Sequence, residues 1–258
     1  MCFDPLATPP QLPADVATGE VSSTELVLGA DDARFRAHLS LASDPSGTAV
    51  VILPDVRGLF GYYEQLTTRL AAAGHHAIAL DYFGRTAGLS PRASDFEFMP
   101  HIKQTTPEQI RHDIAACIAA LRERADVARV VTLGFCFGGS QSYLATTDVS
   151  LGLSGAIAFY GGLDPSRLGV FPRPADEAAS MRGPLLALYG GADASITPEL
   201  RDEFDAALTS AGIAHEFVVY PGAPHSFFDR SHDEHRAECD DAWRRTLTFL
   251  GSLPTAAD

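Results

Sequence analysis

Basic side chains are scarce in this 258-residue chain: 19 Lys and Arg stand against 33 Asp and Glu, a formal net charge of −14. A field of that sign repels phosphate backbones, and no basic stripe interrupts it, which argues against nucleic acid as a partner. Long apolar runs are missing as well. None approaches the length needed to cross a bilayer, and the first 19 residues are Pro-rich and acidic rather than a basic segment followed by an apolar one. A cytoplasmic protein without membrane association is the expectation. Cysteine is sparse, too: Cys2, Cys117, Cys136 and Cys239 lie far apart with no C-x-x-C pair, so neither a disulfide framework nor a zinc site is indicated. No metal or cofactor is expected. Cys117, among alanines and isoleucines, reads as a small buried hydrophobe.

What is present is a globular composition, 46% hydrophobic and 20% charged, in a length that suits one large α/β domain. Residues 1–20 read as an arm on the surface and residues 21–258 as the domain. Val21–Leu28 and Phe35–Leu41 flank a turn at Gly29–Asp32 and predict a hairpin. Ala49–Leu53 is a continuous apolar run, suited to a central strand buried on both faces. After it come a loop at Pro54–Gly61, a helix from about Tyr62 to Ala73 that ends at Gly74, and a second apolar run at Ala77–Leu80. Strand, helix, strand at this spacing predicts a right-handed βαβ unit in a parallel sheet, and the pattern recurs twice more. Apolar positions at Ile110, Ile114, Ile118 and Leu121 mark a helix over Pro107–Arg124 with Thr106 as its N-cap. Later strands are predicted at Arg129–Leu133, Ala156–Tyr160, Leu185–Tyr189 and Glu216–Tyr220. Helices are predicted at Gly138–Thr146, from Thr197 to Ser210 and at Glu234–Leu250. Residues 86–107 show no periodicity, and a loop of that length reads as a lid over a site.

The stretch that carries chemistry is Gly134-Phe135-Cys136-Phe137-Gly138-Gly139, where a β-branched strand stops and a helix begins. Small residues on both sides of a nucleophile permit the steep turn that lifts its side chain clear of the sheet. Ligands of open parallel sheets bind beyond the carboxyl ends of the strands. Three residues in Gly- or Pro-rich turns directly follow strands there: Cys136, Asp193 and His225. Nucleophile, acid, histidine is the chain order of α/β hydrolases. The imidazole would take the thiol proton and return it to the leaving group, while Asp193 fixes its tautomer. The Phe137 amide would be one oxyanion donor and the Leu59 amide, after the first central strand, the second. Each residue also has a plainer reading: Cys136 as a packed small residue, His225 as one of nine histidines, Asp193 as the cap of the next helix.

With these motifs the chain resembles the dienelactone hydrolase family. The likeness runs from about Gly47 to Leu250 through Leu59-Phe60-Gly61, Asp81-Tyr82-Phe83-Gly84-Arg85, the elbow, Gly190-Gly191-Ala192-Asp193 and Ala223-Pro224-His225-Ser226-Phe227. The resemblance implies an α/β-hydrolase fold, a mostly parallel central sheet with helices on both faces. It further implies a Cys-Asp-His triad and hydrolysis of a small lactone or ester through a thiol acyl-enzyme, as a monomer or small homo-oligomer. It also implies two arginines that hold a substrate carboxylate. Arg85 matches the first by its place after Asp81, and the second falls at Asp229, one position short of Arg230; Phe60 joins them as a substrate-binding candidate. The glutamate that family members place before the Leu-Phe-Gly turn is Gly58 here. Activation of the thiol is therefore expected to fall to His225 alone, with Arg57 or Asp55 tuning the mouth of the site. The alternatives are an esterase or thioesterase of another acyl class, or a redox-sensing or binding protein on the same scaffold.

Overall fold

The apolar run at Thr48–Leu53 (β3) is buried along its whole length, as a strand must be when helices cover both faces of a sheet. The computed structural model describes residues 7–165 and 168–253, so Cys2 lies outside the described residues. The other strands are β1 (Val21–Leu28), β2 (Phe35–Ala42), β4 (Ala77–Leu80), β5 (Arg129–Phe135), β6 (Gly155–Phe159), β7 (Leu185–Gly190) and β8 (His215–Tyr220). They form one eight-stranded sheet in the order β1-β2-β4-β3-β5-β6-β7-β8. The hairpin docks at one edge through β2, which pairs antiparallel with β1 and with β4. From β4 onward every pairing is parallel. The result is an α/β-hydrolase fold.

Helices are α1 (Gly61–Ala72), α2 (Gly84–Ala87), α3 (Met99–Ile102), α4 (Pro107–Arg124), α5 (Phe137–Ala145), α6 (Pro174–Glu177), α7 (Pro198–Ala211) and α8 (Arg236–Ser252). Alternate residues of β3 serve opposite layers, as strand geometry requires. Val50 and Ile52 join Leu66 and Leu70 of α1 and Trp243 and Leu250 of α8, whereas Val51 and Leu53 join Ile110 and Ile114 of α4. α4 opens on a capping box, in which Thr106 accepts from the Gln109 amide and Gln109 accepts in return from the Thr106 amide. Cys117 is fully buried within that layer, and burial pushes its thiol pKa up.

The parallel crossover is more frequent than the sequence pattern predicts. After β3-α1-β4 the chain makes four further parallel connections, ending at β5, β6, β7 and β8. The link from β6 to β7 escapes a periodicity reading because, among its described residues, the one α-helix is the four-residue α6. β5 also outruns its predicted end at Leu133, because Gly134 still pairs with Leu53 and Ala158, and Phe135 with Phe159. The ladder thus continues to the residue before Cys136. Among the described residues no helix is long and apolar enough to cross a membrane.

Backbones meet so closely at this edge that side chains are excluded. A Cβ on Gly138 would lie 2.0 Å from the Leu53 carbonyl oxygen and 2.3 Å from that of Pro54. In an open helix Gly→Ala gains about 1 kcal/mol; here the clash decides the sign, with a cost of about 3 kcal/mol. Gly138→Ala is expected to lower the melting temperature by about 6–12 °C, measured by circular dichroism, and an unchanged or raised value would contradict this packing.

Candidate active site

β5 delivers the chain to Phe135 and α5 begins at Phe137, so Cys136 makes the turn by itself at φ 54° and ψ −112°. A non-glycine residue in that region costs about 1–3 kcal/mol and persists only when its surroundings impose it. The constraint is visible in hydrogen bonds. The Cys136 amide donates to the Phe159 carbonyl at 3.0 Å, and its own carbonyl accepts from the Ser140 amide at 3.2 Å and the Gly162 amide at 3.1 Å. The thiol-bearing residue is half-buried. Phe137 supplies the first amide of a helix whose opening N–H groups have no intrahelical acceptor and favour nearby negative charge.

His225 lies in the turn after β8, and its Nδ1 is 2.5 Å from Asp193 Oδ2. The other carboxylate oxygen, Oδ1, accepts from the Ser195 amide at 2.8 Å and the Ser195 hydroxyl at 2.6 Å. Burial would raise the Asp193 pKa, but the hydrogen bonds from His225 and Ser195 outweigh it and hold the carboxyl below its usual value. Asp193 is not the cap of α7, a task performed by Thr197, whose side chain accepts from the Leu200 amide. With Nδ1–H donating to the carboxylate, Nε2 presents its lone pair on the opposite side of the ring. The imidazole rests against Tyr160, ring centroids 4.9 Å apart, and Tyr160 directly follows the residue that accepts from the Cys136 amide. Tyr160 and Ser226 also have positive φ, 40° and 63°. Three strained residues thus gather where the turns after β5, β6 and β8 meet.

Other predicted residues are placed differently. Arg85 forks onto Asp113 of α4, at 2.8 and 2.6 Å. Burial pushes the Asp113 carboxyl up, and the fork from Arg85 opposes it. The Leu59 amide donates to Asp81 Oδ1 at 3.2 Å, so its hydrogen is already engaged. Arg57 is bound to Asp55, Nε lying 3.0 and 3.1 Å from the two carboxylate oxygens, and its guanidinium sits 4.1 Å over the Phe60 ring. Asp229 is buried and Arg230 is exposed. Within residues 86–107, Arg92 pairs with the buried Asp81 and Phe96 meets Phe83 at 5.5 Å. Ser195 was legible in principle, since Asp-x-Ser marks an Asx turn. Tyr160, Asp113 and Arg92 carry no local signal.

Residues 35–253 match the family model described as the dienelactone hydrolase family. A protein of Escherichia coli K12, provisionally named a carboxymethylenebutenolidase, is 31% identical over 212 residues, which span 81% of this chain and 78% of that protein. A Methylorubrum extorquens protein with the same provisional name is 30% identical over 201 residues, spanning 76% and 69%. A crystal structure from Klebsiella pneumoniae, provisionally described as a dienelactone hydrolase, superposes with a TM-score of 0.79 at 24% identity, over 91% of this chain and 100% of that one. At that identity it attests the fold.

Two outcomes follow from the buried charges. Arg85→Met strands the Asp113 carboxylate and is expected to cost about 3 kcal/mol, much of it recovered in Arg85→Met/Asp113→Leu; urea midpoints of both variants measure this. If Arg85 instead held substrate, the single variant would keep its midpoint and show a raised KM. The Asp193 carboxyl, whose usual value is 3.8, takes up its proton later in the folded chain than in the unfolded one. Its contribution to stability is therefore complete above the usual value and disappears as pH falls through the lower folded value. Asp193→Asn should lose less stability than the wild type between about pH 4.5 and pH 2.5, and parallel curves would contradict the assignment.

Proposed function

Because the chain belongs to the dienelactone hydrolase family, enzymes that hydrolyse ester and lactone bonds of small molecules, we propose that it acts through the Cys136 thiol and passes through a thioester. The observation that carries this reading is the His225–Asp193 pair at 2.5 Å, set at the same end of the sheet as a cysteine elbow. Nε2 takes the thiol proton as sulfur attacks the carbonyl carbon, and the carbonyl electron pair moves onto oxygen. When the tetrahedral species collapses, the alkoxide leaves with the proton from Nε2; in a lactone it stays attached to the acyl chain. Water then attacks the thioester and gives its proton to Nε2. Collapse returns that proton to sulfur and frees the acid.

The Phe137 amide supplies the first oxyanion donor, an interaction worth about a hundredfold or more in rate. The Leu59 amide becomes the second by exchanging Asp81 for the oxyanion. Residues 86–107 serve as the cover of the site, seated by Arg92 on Asp81 and by Phe96 on Phe83. With Gly58 in place of the family's glutamate, the His225–Asp193 pair bears the whole task of removing the thiol proton.

Intact-protein mass spectra after brief exposure to a panel of small lactones and esters test the proposal. A mass increase equal to the acyl group, mapped to Cys136 and absent from Cys136→Ala, is expected, together with a loss of about a thousandfold or more in kcat/KM. Undiminished hydrolysis by the alanine variant would remove Cys136 from the role.

A further inference from the structure

The amide proposed as the second oxyanion donor is already engaged. Leu59 N–H donates to Asp81 Oδ1 at 3.2 Å, and Asp81, the residue after β4, is fully buried. A carboxylate taken out of water needs a cation or several donors, and Arg92 supplies them. Its Nε lies 3.3 Å from Oδ1 and its Nη2 binds Oδ2. The guanidinium is itself steered by the carbonyls of Ala87 and Gly88, at 3.1 and 2.8 Å. Charge-assisted bonds run at about 2.7–2.9 Å, so the Leu59 amide is a loose partner of Asp81, and Nη2 of Arg92 is the tight one.

The same carboxylate is built into the surroundings of the elbow. Tyr82, the next residue, packs its ring on that of Phe137, centroids 5.4 Å apart, and its hydroxyl donates to the Pro54 carbonyl at 2.9 Å. Gly138 lies against that carbonyl as well, so the end of β4, the β3 turn and the opening of α5 pack as one unit. An oxyanion held by the Leu59 and Phe137 amides makes two demands on it. The Leu59 hydrogen has to leave a carboxylate, and a negative charge has to develop near another. A cation on Asp81 eases both, because it competes with the amide for the carboxylate lone pairs and offsets the carboxylate's field. Without it, Leu59 N–H would be the donor left to the Asp81 carboxylate among the described residues, and the new charge would be opposed.

We propose that Arg92 is a positioning residue for the acyl transfer: by holding Asp81, it lends the Leu59 amide to the oxyanion. It acts through the carboxylate rather than on the substrate, and it reaches the β3 turn from residues 86–107. This role rests on the cysteine-hydrolase reading and adds to it the means by which an engaged amide becomes a donor for the reaction.

Two reactions of Cys136 in the intact protein separate this role from a structural one. Acylation by 4-nitrophenyl hexanoate, followed as kcat/KM, passes through an oxyanion, whereas alkylation by iodoacetamide displaces iodide from a saturated carbon and forms none. Arg92→Met is expected to slow acylation about thirtyfold while alkylation, mapped by peptide mass, stays within about threefold of wild type. Arg92→Lys, which keeps a cation on Asp81, should lose no more than about fivefold in acylation. Asp81→Asn/Arg92→Met, which removes both charges, should acylate within about threefold of wild type. Equal losses in the two reactions would reduce Arg92 to a seat for its segment. Acylation by Arg92→Met at the wild-type rate, or a loss that the double variant does not recover, likewise overturns the role. If Arg92→Met does not fold, the double variant and Arg92→Lys decide by the same limits. A wild type that acylates no faster than Cys136→Ala removes the hydrolase reading and this role with it, whereas an active wild type matched by Arg92→Met removes the role alone.

Discussion

The turn at Cys136 is the constraint on which the arrangement depends. A side chain at the end of a buried parallel strand reaches open space only if the backbone reverses within a residue or two, and that reversal brings α5 against the ends of β3, β5 and β6. A Cβ on Gly134 would lie 1.9 Å from the Gly138 carbonyl oxygen, and one on Gly139 would lie 2.5 Å from Gly161 Cα. These glycines are required by contact between backbones rather than by flexibility. Once the approach is made, Cys136 is held at positive φ by bonds to Phe159, Ser140 and Gly162. The strain at one residue is offset by many well-made neighbours, the usual circumstance in which strained backbone survives.

Constraints of this local kind are the part of the site that can be read from the sequence. The elbow declares itself because close backbone approach leaves glycine as the only residue that fits. β3 and β4 declare themselves because burial on both faces demands an unbroken apolar run. Asp193 and His225 are found by rule, as polar residues in Gly- or Pro-rich turns after strands, and in the folded chain the two side chains are hydrogen-bonded to each other. What stayed hidden depends on pieces distant in sequence. Arg85 is claimed by Asp113 on α4, 28 residues later, and nothing in the spelling of Asp-Tyr-Phe-Gly-Arg reveals this. The four-residue α6 is too short to leave a period, so nothing in the spacing marks the crossover from β6 to β7.

Gly58 shows the same distinction from the other side. Against the resemblance, its lack of a carboxylate reads as a deletion. In the folded chain it has φ +79°, and a Cβ there would lie 2.4 Å from Asp81 Oδ1. A side chain at that φ would be strained and would have to displace the Asp81 carboxylate. The turn is packed around that buried carboxylate, which accepts the Leu59 amide and receives Arg92 from residues 86–107. One carboxylate therefore ties together the β3 turn, the end of β4 and the segment that carries Arg92.

Buried ion pairs of this sort are poor devices for stability, since desolvating both charges consumes most of what their attraction supplies. Three of them, Arg57–Asp55, Arg85–Asp113 and Arg92–Asp81, crowd the loops beyond the strand ends, and their value lies in fixing those loops relative to one another. Each pairing also withdraws a cation and a carboxylate from chemistry. Asp55 is committed to Arg57 and Asp81 to Arg92 and the Leu59 amide, so neither stands ready to take a proton. His225 differs in kind: Asp193 engages only Nδ1, and Ser195 holds the carboxylate's second oxygen. The ring is thereby fixed in orientation by a carboxylate that is itself held in place.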